Sequence, residues 1–348
     1  MQGDKAHVRR VRAGLAIGLV AGYVASVLLS VLASRGEGGA ASLWTANGFL
    51  AAAFILLPGA WRVGVAAACM AAQAAVGLAA GDGPGRAAMF PVVNLLEAAL
   101  TAWLAIRFCG VRARRLSLRE LALVPIAAIA PAAALAGVLG ATINLALTGQ
   151  SPLDGWLAWA APGALGTAIV LPAVLLAVRA GQYREFARPP LETAAILAGL
   201  GALVAGVYLQ NDLPLQFSLF PALTITAVRL GPPGAAAAAL LTSMIALPLS
   251  MLGHGPAMLA PHLDAAGRVR LTELVMAAAM VSTLVTAVAV GEQTRLRQLM
   301  LGRDRAARAA RERARRAERA AAEAQGLGGQ GSGQGRSAPP RERIAGLV

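Results

Sequence analysis

Charge is what this chain has least of. Only 14% of its 348 residues are charged and 4% are aromatic, where a soluble globular domain carries ~25% charge. The deficit is uneven: 19 of the charged residues fall in the last 57 positions, leaving 29 for the first 291. A water-facing surface cannot be built from one charge in ten, so soluble multidomain enzymes are excluded and residues 1–291 read as a polytopic membrane protein. Lysine is nearly absent, since Lys5 is the only one beside 30 arginines. Cysteine is scarce too: Cys69 and Cys109 stand in or beside apolar runs, which gives neither a disulfide framework nor a metal site. His254, His262 and Asp264 share a Gly- and Pro-rich loop and read as solvated loop residues. No metal, cofactor or catalytic residue is expected.

What is present is apolar sequence, 57% of the chain with a mean hydropathy of +0.63. Lipid offers no partner to a free backbone group, so apolar stretches of about 20 residues bounded by Gly, Pro or charge are read as helical spans. The expected fold is an all-α transmembrane helix bundle of about ten spans. They cover approximately 13–33, 43–57, 63–80, 87–107, 121–147, 155–178, 191–210, 213–230, 235–252 and 271–290. If the hairpins of spans two and three, and eight and nine, only dip into the bilayer, the count falls to eight or six. The first apolar run is too long for a signal-peptide core and is expected to remain as an anchor.

The net charge of +14 would suggest nucleic acid in a soluble protein; here it reports orientation. With the N-terminus inside, 27 basic residues fall on the cytoplasmic side, from Lys5, Arg9, Arg10 and Arg12 through Arg107 and Arg119 to 13 in the tail. Four fall outside: Arg35, Arg86, Arg268 and Arg270. Both termini are therefore expected in the cytoplasm, and the chain in the inner membrane of a bacterium. Trp44, Trp61, Trp103, Trp156 and Trp159 are expected at the two interfaces, where amphipathic rings anchor.

One charge needs a reason. Glu97 sits halfway along the fourth span, where a carboxylate costs on the order of 2.5–3.5 kcal/mol and must face protein or a wet cavity. Asn94 lies three residues earlier on the same helical face. Two readings stand: a ligand or proton site, or an interhelical polar clamp with Asn144 or Gln73. Glu120, Glu192 and Glu273 sit at expected helix starts, where a carboxylate meets the positive dipole end.

The sequence also hints at an internal repeat. At a constant offset of 172, Gly59, Gly81, Gly83 and Pro84 match Gly231, Gly253, Gly255 and Pro256. Four residues later in phase, Leu95-Leu96-Glu97 matches Leu271-Thr272-Glu273. Spans two and eight are both short and interrupted, by Asn47-Gly48 and by Pro221, and paired interruptions of this kind point to a binding site at a repeat interface.

Several runs carry a family likeness. Leu43-Trp44-Thr45-Ala46-Asn47-Gly48, Asn94-Leu95-Leu96-Glu97 with Trp103, and Trp156 through Gly163-Ala164-Leu165-Gly166 to Leu171-Pro172 resemble the bacterial MASE family, type one. Ala227-Val228-Arg229-Leu230-Gly231-Pro232-Pro233-Gly234, followed by Gly253-His254-Gly255-Pro256, extends the resemblance over roughly residues 13–291. Thr45 and Ala46 depart from the family's usual proline after tryptophan. The resemblance implies a membrane sensory domain of the kind fused to histidine kinase, diguanylate cyclase or PAS modules. Trp44, Asn47, Gly48, Asn94 and Glu97 are then the candidate ligand-binding or polar-core residues.

After a basic N-terminus (1–12) and the sensor domain (13–291), residues 292–325 are rich in Ala, Arg and Glu, with strong helix propensity. Leu296, Leu299, Ala306 and Ala310 fall on a weak heptad seam interrupted by Arg303 and Arg313 and are the candidate signal-output positions. Residues 326–348 read as a flexible Gly/Ser/Gln-rich tail. Fifty-seven residues after the last span cannot house a kinase or cyclase, so the expected module is an input unit, not an enzyme. Its candidate partners are the lipid bilayer, a second copy of the chain, and a separate kinase or cyclase effector; nucleic acid is not among them. The alternative is a small-solute transporter or permease, and a remnant of a truncated gene is a third reading.

Overall fold

The computed structural model describes residues 2–34, 44–111, 117–183 and 186–331 and is all-helical, with no strand among them. The ten helices are α1 (Gln2–Ser34), α2 (Ala46–Leu56), α3 (Gly59–Ala79), α4 (Pro84–Phe108), α5 (Leu118–Val124), α6 (Ala130–Thr148), α7 (Pro152–Val178), α8 (Pro190–Tyr208), α9 (Leu219–Met251) and α10 (Ala265–Gly331). A π-helical turn, Pro125–Ile129, joins α5 to α6 where Pro125 withholds a backbone donor. The expected tail boundary at Gln325 falls inside α10, and residues 332–348 lie outside the described residues, as do Arg35, Leu43, Arg112, Arg114, Arg115 and Arg184. The chain divides into two units, Met1–Glu292 and Gln293–Val348.

Among the described residues, eight helices are long and apolar enough to cross a membrane, where about ten spans were expected. The difference has two sources. First, α2 has only 11 residues, about 16 Å of helix and roughly half a hydrocarbon core. Its 11 positions are nearly all buried, among α1, α3, α4 and α7. A helix apolar on every face belongs in a core. It ends at Leu57 and Pro58, both extended, and the Leu57 carbonyl accepts from Arg62 Nε at 2.6 Å.

Second, the eighth and ninth expected spans form one element, Leu215–Met251, broken at Gly231 (φ 64°, ψ −160°). This is a reversal. Arg229 pairs with Glu192 at the start of α8 (3.3 Å), and Phe186 packs on Gly231. The far end of 232–251 returns to the other end of α8, where the Gly255 N–H donates to Asn211 Oδ1 at 2.8 Å and Tyr208 packs on Gly255. Residues 219–230 therefore descend and 232–251 ascend. Only glycine adopts Gly231's dihedrals readily, the Pro that follows disfavours a helical conformation before it, and Pro232 starts the next helix. Residues 219–230 are, like α2, too short to cross alone.

The two short helices share a local pattern. Each is followed by a break at Pro58-Gly59 or Gly231-Pro232 and then by a long helix. The long helices are closed at equivalent positions by left-handed glycines, Gly81 (φ 87°) and Gly253 (φ 81°).

Two of the three capping carboxylates lie where the dipole argument put them. Ser117 and Glu120 form a reciprocal capping box at the start of α5, and Glu192 occupies the first turn of α8. Glu273 does not. α10 begins at Ala265, so Glu273 stands two turns inside it and is buried. The helix starts earlier because Asp264 accepts from the Gly267 N–H at 2.7 Å.

Candidate functional site

The half-length of α2 opens the site. Because α2 starts at Ala46 rather than at the membrane surface, the chain just before it reaches α7 well along that helix. The Trp44 N–H donates to the carbonyl of Pro162 at 3.3 Å, about 15 Å in from the start of α7 at Pro152. Pro162 and the small residues around it admit this approach. Gly166 lies directly against the Trp44 carbonyl, and a Cβ at Gly48 would stand 2.7 Å from Val170 Cβ.

From that crossing a chain of hydrogen bonds runs inward. Trp44 Nε1 donates to Asn47 Oδ1 (3.1 Å), and Asn47 Nδ2 donates to Asn94 Oδ1 (3.2 Å) on α4. One turn beyond Asn94 stands Glu97, 1% exposed, with neither carboxylate oxygen hydrogen-bonded. The Asn47 and Trp159 side chains face it as donors without completing a hydrogen bond. Gly163 on α7 leaves the space the carboxylate occupies, since a Cβ there would lie 2.9 Å from Oε1. The polar face of α4 continues one turn further to Thr101, whose buried hydroxyl is also unpaired. Among Asn94, Glu97 and Thr101, α4 carries a polar stripe that never meets lipid.

Trp44, Asn94, Glu97, Pro162 and Gly163 line a cavity of about 80 Å³, room for on the order of five waters. Phe90, Trp44 and Trp159 supply its aromatic wall, Gln73 and Asn144 its other amides, and Asp82 and Arg86 lie toward the α3–α4 turn. Trp159 meets Phe90 edge to face at 4.9 Å and covers Gly140.

The five candidate residues fall together. Trp44, Asn47 and Asn94 form one hydrogen-bonded chain, Glu97 adjoins it, and Gly48 sets how closely α2 meets α7. Gln73 and Asn144 share the cavity but do not clamp Glu97: Gln73 Oε1 accepts from Tyr23 OH at 2.6 Å instead. Trp159 and Gly163 escaped the sequence argument. Trp159 reads as an interface anchor by its place near a helix start, and only a helical projection of α7 puts it on the Pro162/Gly166 face. Trp156 likewise points inward, donating to the Ala134 carbonyl at 3.0 Å, whereas Trp103 is exposed as an anchor should be. Leu296, Leu299, Ala306 and Ala310 are all exposed along the second unit's helix.

No curated protein and no solved structure matches the chain. The family model MASE1 matches residues 13–294. That interval holds the whole crossing of α2, α4 and α7 and the cavity around Glu97. With an all-helical, multi-pass architecture beneath it, the chain belongs to the MASE1 family of membrane-associated sensor domains.

Proposed function

We propose that residues 13–291 are a receptor in a bacterial inner membrane, that its input site is the cavity at Glu97, and that α10 hands the signal to a cytoplasmic kinase or cyclase effector. The observation that carries this reading is a mid-span carboxylate with no partner, held in a cavity at the end of a built hydrogen-bond chain. A group kept at that cost marks function, because a hydrophobic residue of the same volume would pack there without it. The output path rests on how α10 is held. It bonds to α9 through Ser250 and Thr272 (2.7 Å) and buries Met276, Met280 and Leu284, of which the two unbranched methionines tolerate sliding. α6 and α7, by contrast, meet with glycines in the interface.

A transporter reading draws on the paired short helices, since broken helices at corresponding places line substrate paths. Truncation separates the two. Deleting Gly302–Val348 should silence the effector at least tenfold, read as kinase or cyclase product in cells, while leaving the protein inserted. Saturable solute uptake into proteoliposomes that survives the deletion would establish the transporter.

Orientation is tested separately. Reporter fusions at Gly110, Gly181 and the C-terminus should read cytoplasmic, and fusions at Gly83 and Gln150 external, following the excess of arginine on one side. A cytoplasmic signal at Gln150 would refute this arrangement.

A further inference from the structure

The cavity's chemistry points to the class of its occupant. Resting on the receptor reading above, we infer that it binds a small organic cation, an alkylammonium whose positive group sits against Glu97 and whose carbon substituents meet Trp44, Trp159 and Phe90. Glu97 is 1% exposed, whereas Asp82 and Arg86, the other ionisable side chains of the lining, are half-buried beside the α3–α4 turn and carry opposite charges. A carboxylate without a hydrogen bond in a low-dielectric interior is stable only when a cation joins it or a proton neutralises it. Asn47 and Asn94 are bonded to each other and Gln73 accepts from Tyr23, so none of these amides serves Glu97 as a partner.

The wall distinguishes an organic cation from a metal ion. A metal ion wants several oxygen ligands converging at short range, and among the described residues no three His, Cys, Asp or Glu gather to hold one, while the Asn94 and Gln73 carbonyl oxygens already accept hydrogen bonds. Three aromatic side chains around one carboxylate are instead the composition that holds ammonium groups, through the negative ring faces. The volume sets the size. At about 80 Å³ it is roughly half the ~150 Å³ cavity that accommodates benzene, which suits an ion of a few carbon atoms.

The test uses the full chain in lipid nanodiscs and its tryptophan fluorescence, because two of its five tryptophans line the cavity. Trimethylammonium chloride should produce a saturable change, and sodium chloride at equal ionic strength and isopropanol, the uncharged molecule of similar shape, should not. Glu97→Gln should weaken the trimethylammonium response at least tenfold with the unliganded spectrum unchanged. Trp159→Leu should weaken it as well, read by the remaining tryptophans. Equal responses to isopropanol, an undiminished response in Glu97→Gln, or a pH-dependent change whose midpoint trimethylammonium does not move would each overturn the inference, the last by making the proton the occupant. Failure here is distinct from failure of the receptor reading. If Glu97→Gln abolishes effector output while the parent chain ignores trimethylammonium, the ligand class is wrong and the input site stands.

Discussion

Gly166→Ala should cost about 3 kcal/mol or more and lower the melting temperature by roughly 5 °C or more. The added methyl would fall on the Trp44 carbonyl, which is main chain and cannot rotate away. Nor can α2 retreat as a body, because the Trp44 N–H is bonded to Pro162 and Gly48 abuts Val170 one turn along. The collision separates α2 from α7 and takes Trp44 and Asn47 away from Asn94. Thermal unfolding in detergent, followed by light scattering, measures the effect. Gly199→Ala is the control, since nothing lies within 4 Å of its missing Cβ, and there the change should be neutral or stabilising by under about 1 kcal/mol. Equal melting temperatures for Gly166→Ala and the parent would mean that the crossing of α2 and α7 is looser than the structure has it.

Replacements at Glu97 should split stability from signalling. Glu97→Leu removes an unpaired buried carboxyl and supplies apolar volume, so the melting temperature should stay level or rise, by up to about 3 kcal/mol in stability. Effector output should nevertheless fall to the background of the truncated chain. Glu97→Gln keeps the shape without the charge and should lose output by tenfold or more, equivalent to about 1.4 kcal/mol of coupling, at nearly unchanged stability. A group that serves function at the expense of packing behaves in this way. If Glu97→Leu instead lowered the melting temperature and Glu97→Gln signalled normally, Glu97 would be a structural clamp, with its partners among the amides of the same cavity.

The membrane class, the helical fold, the family and the five residues of the candidate site are all legible in the amino-acid order. The reason is that lipid makes local chemistry decisive: an apolar run must be a helix, a mid-span carboxylate must face inward, and Asn94 and Glu97 share a face by period alone. Asn47 and Gly48 stand out because they interrupt such a run. Glu120 and Glu192 are readable at helix starts for the same local reason, since a dipole acts within one turn.

What the order of residues leaves open is every question of length and partner. Nothing local says that α2 stops halfway; that depends on which glycine surface on a neighbouring helix is available to be filled. Trp159 is anchor or cavity wall according to whether Gly140 and Phe90 stand beside it. Glu97 is clamped or free according to whether Gln73 finds Tyr23 first. Hydropathy and helical period fix which residues must hide from lipid, because solvent acts on each residue alone. Packing decides whom they meet, because a contact needs two surfaces, and the second one lies elsewhere in the chain.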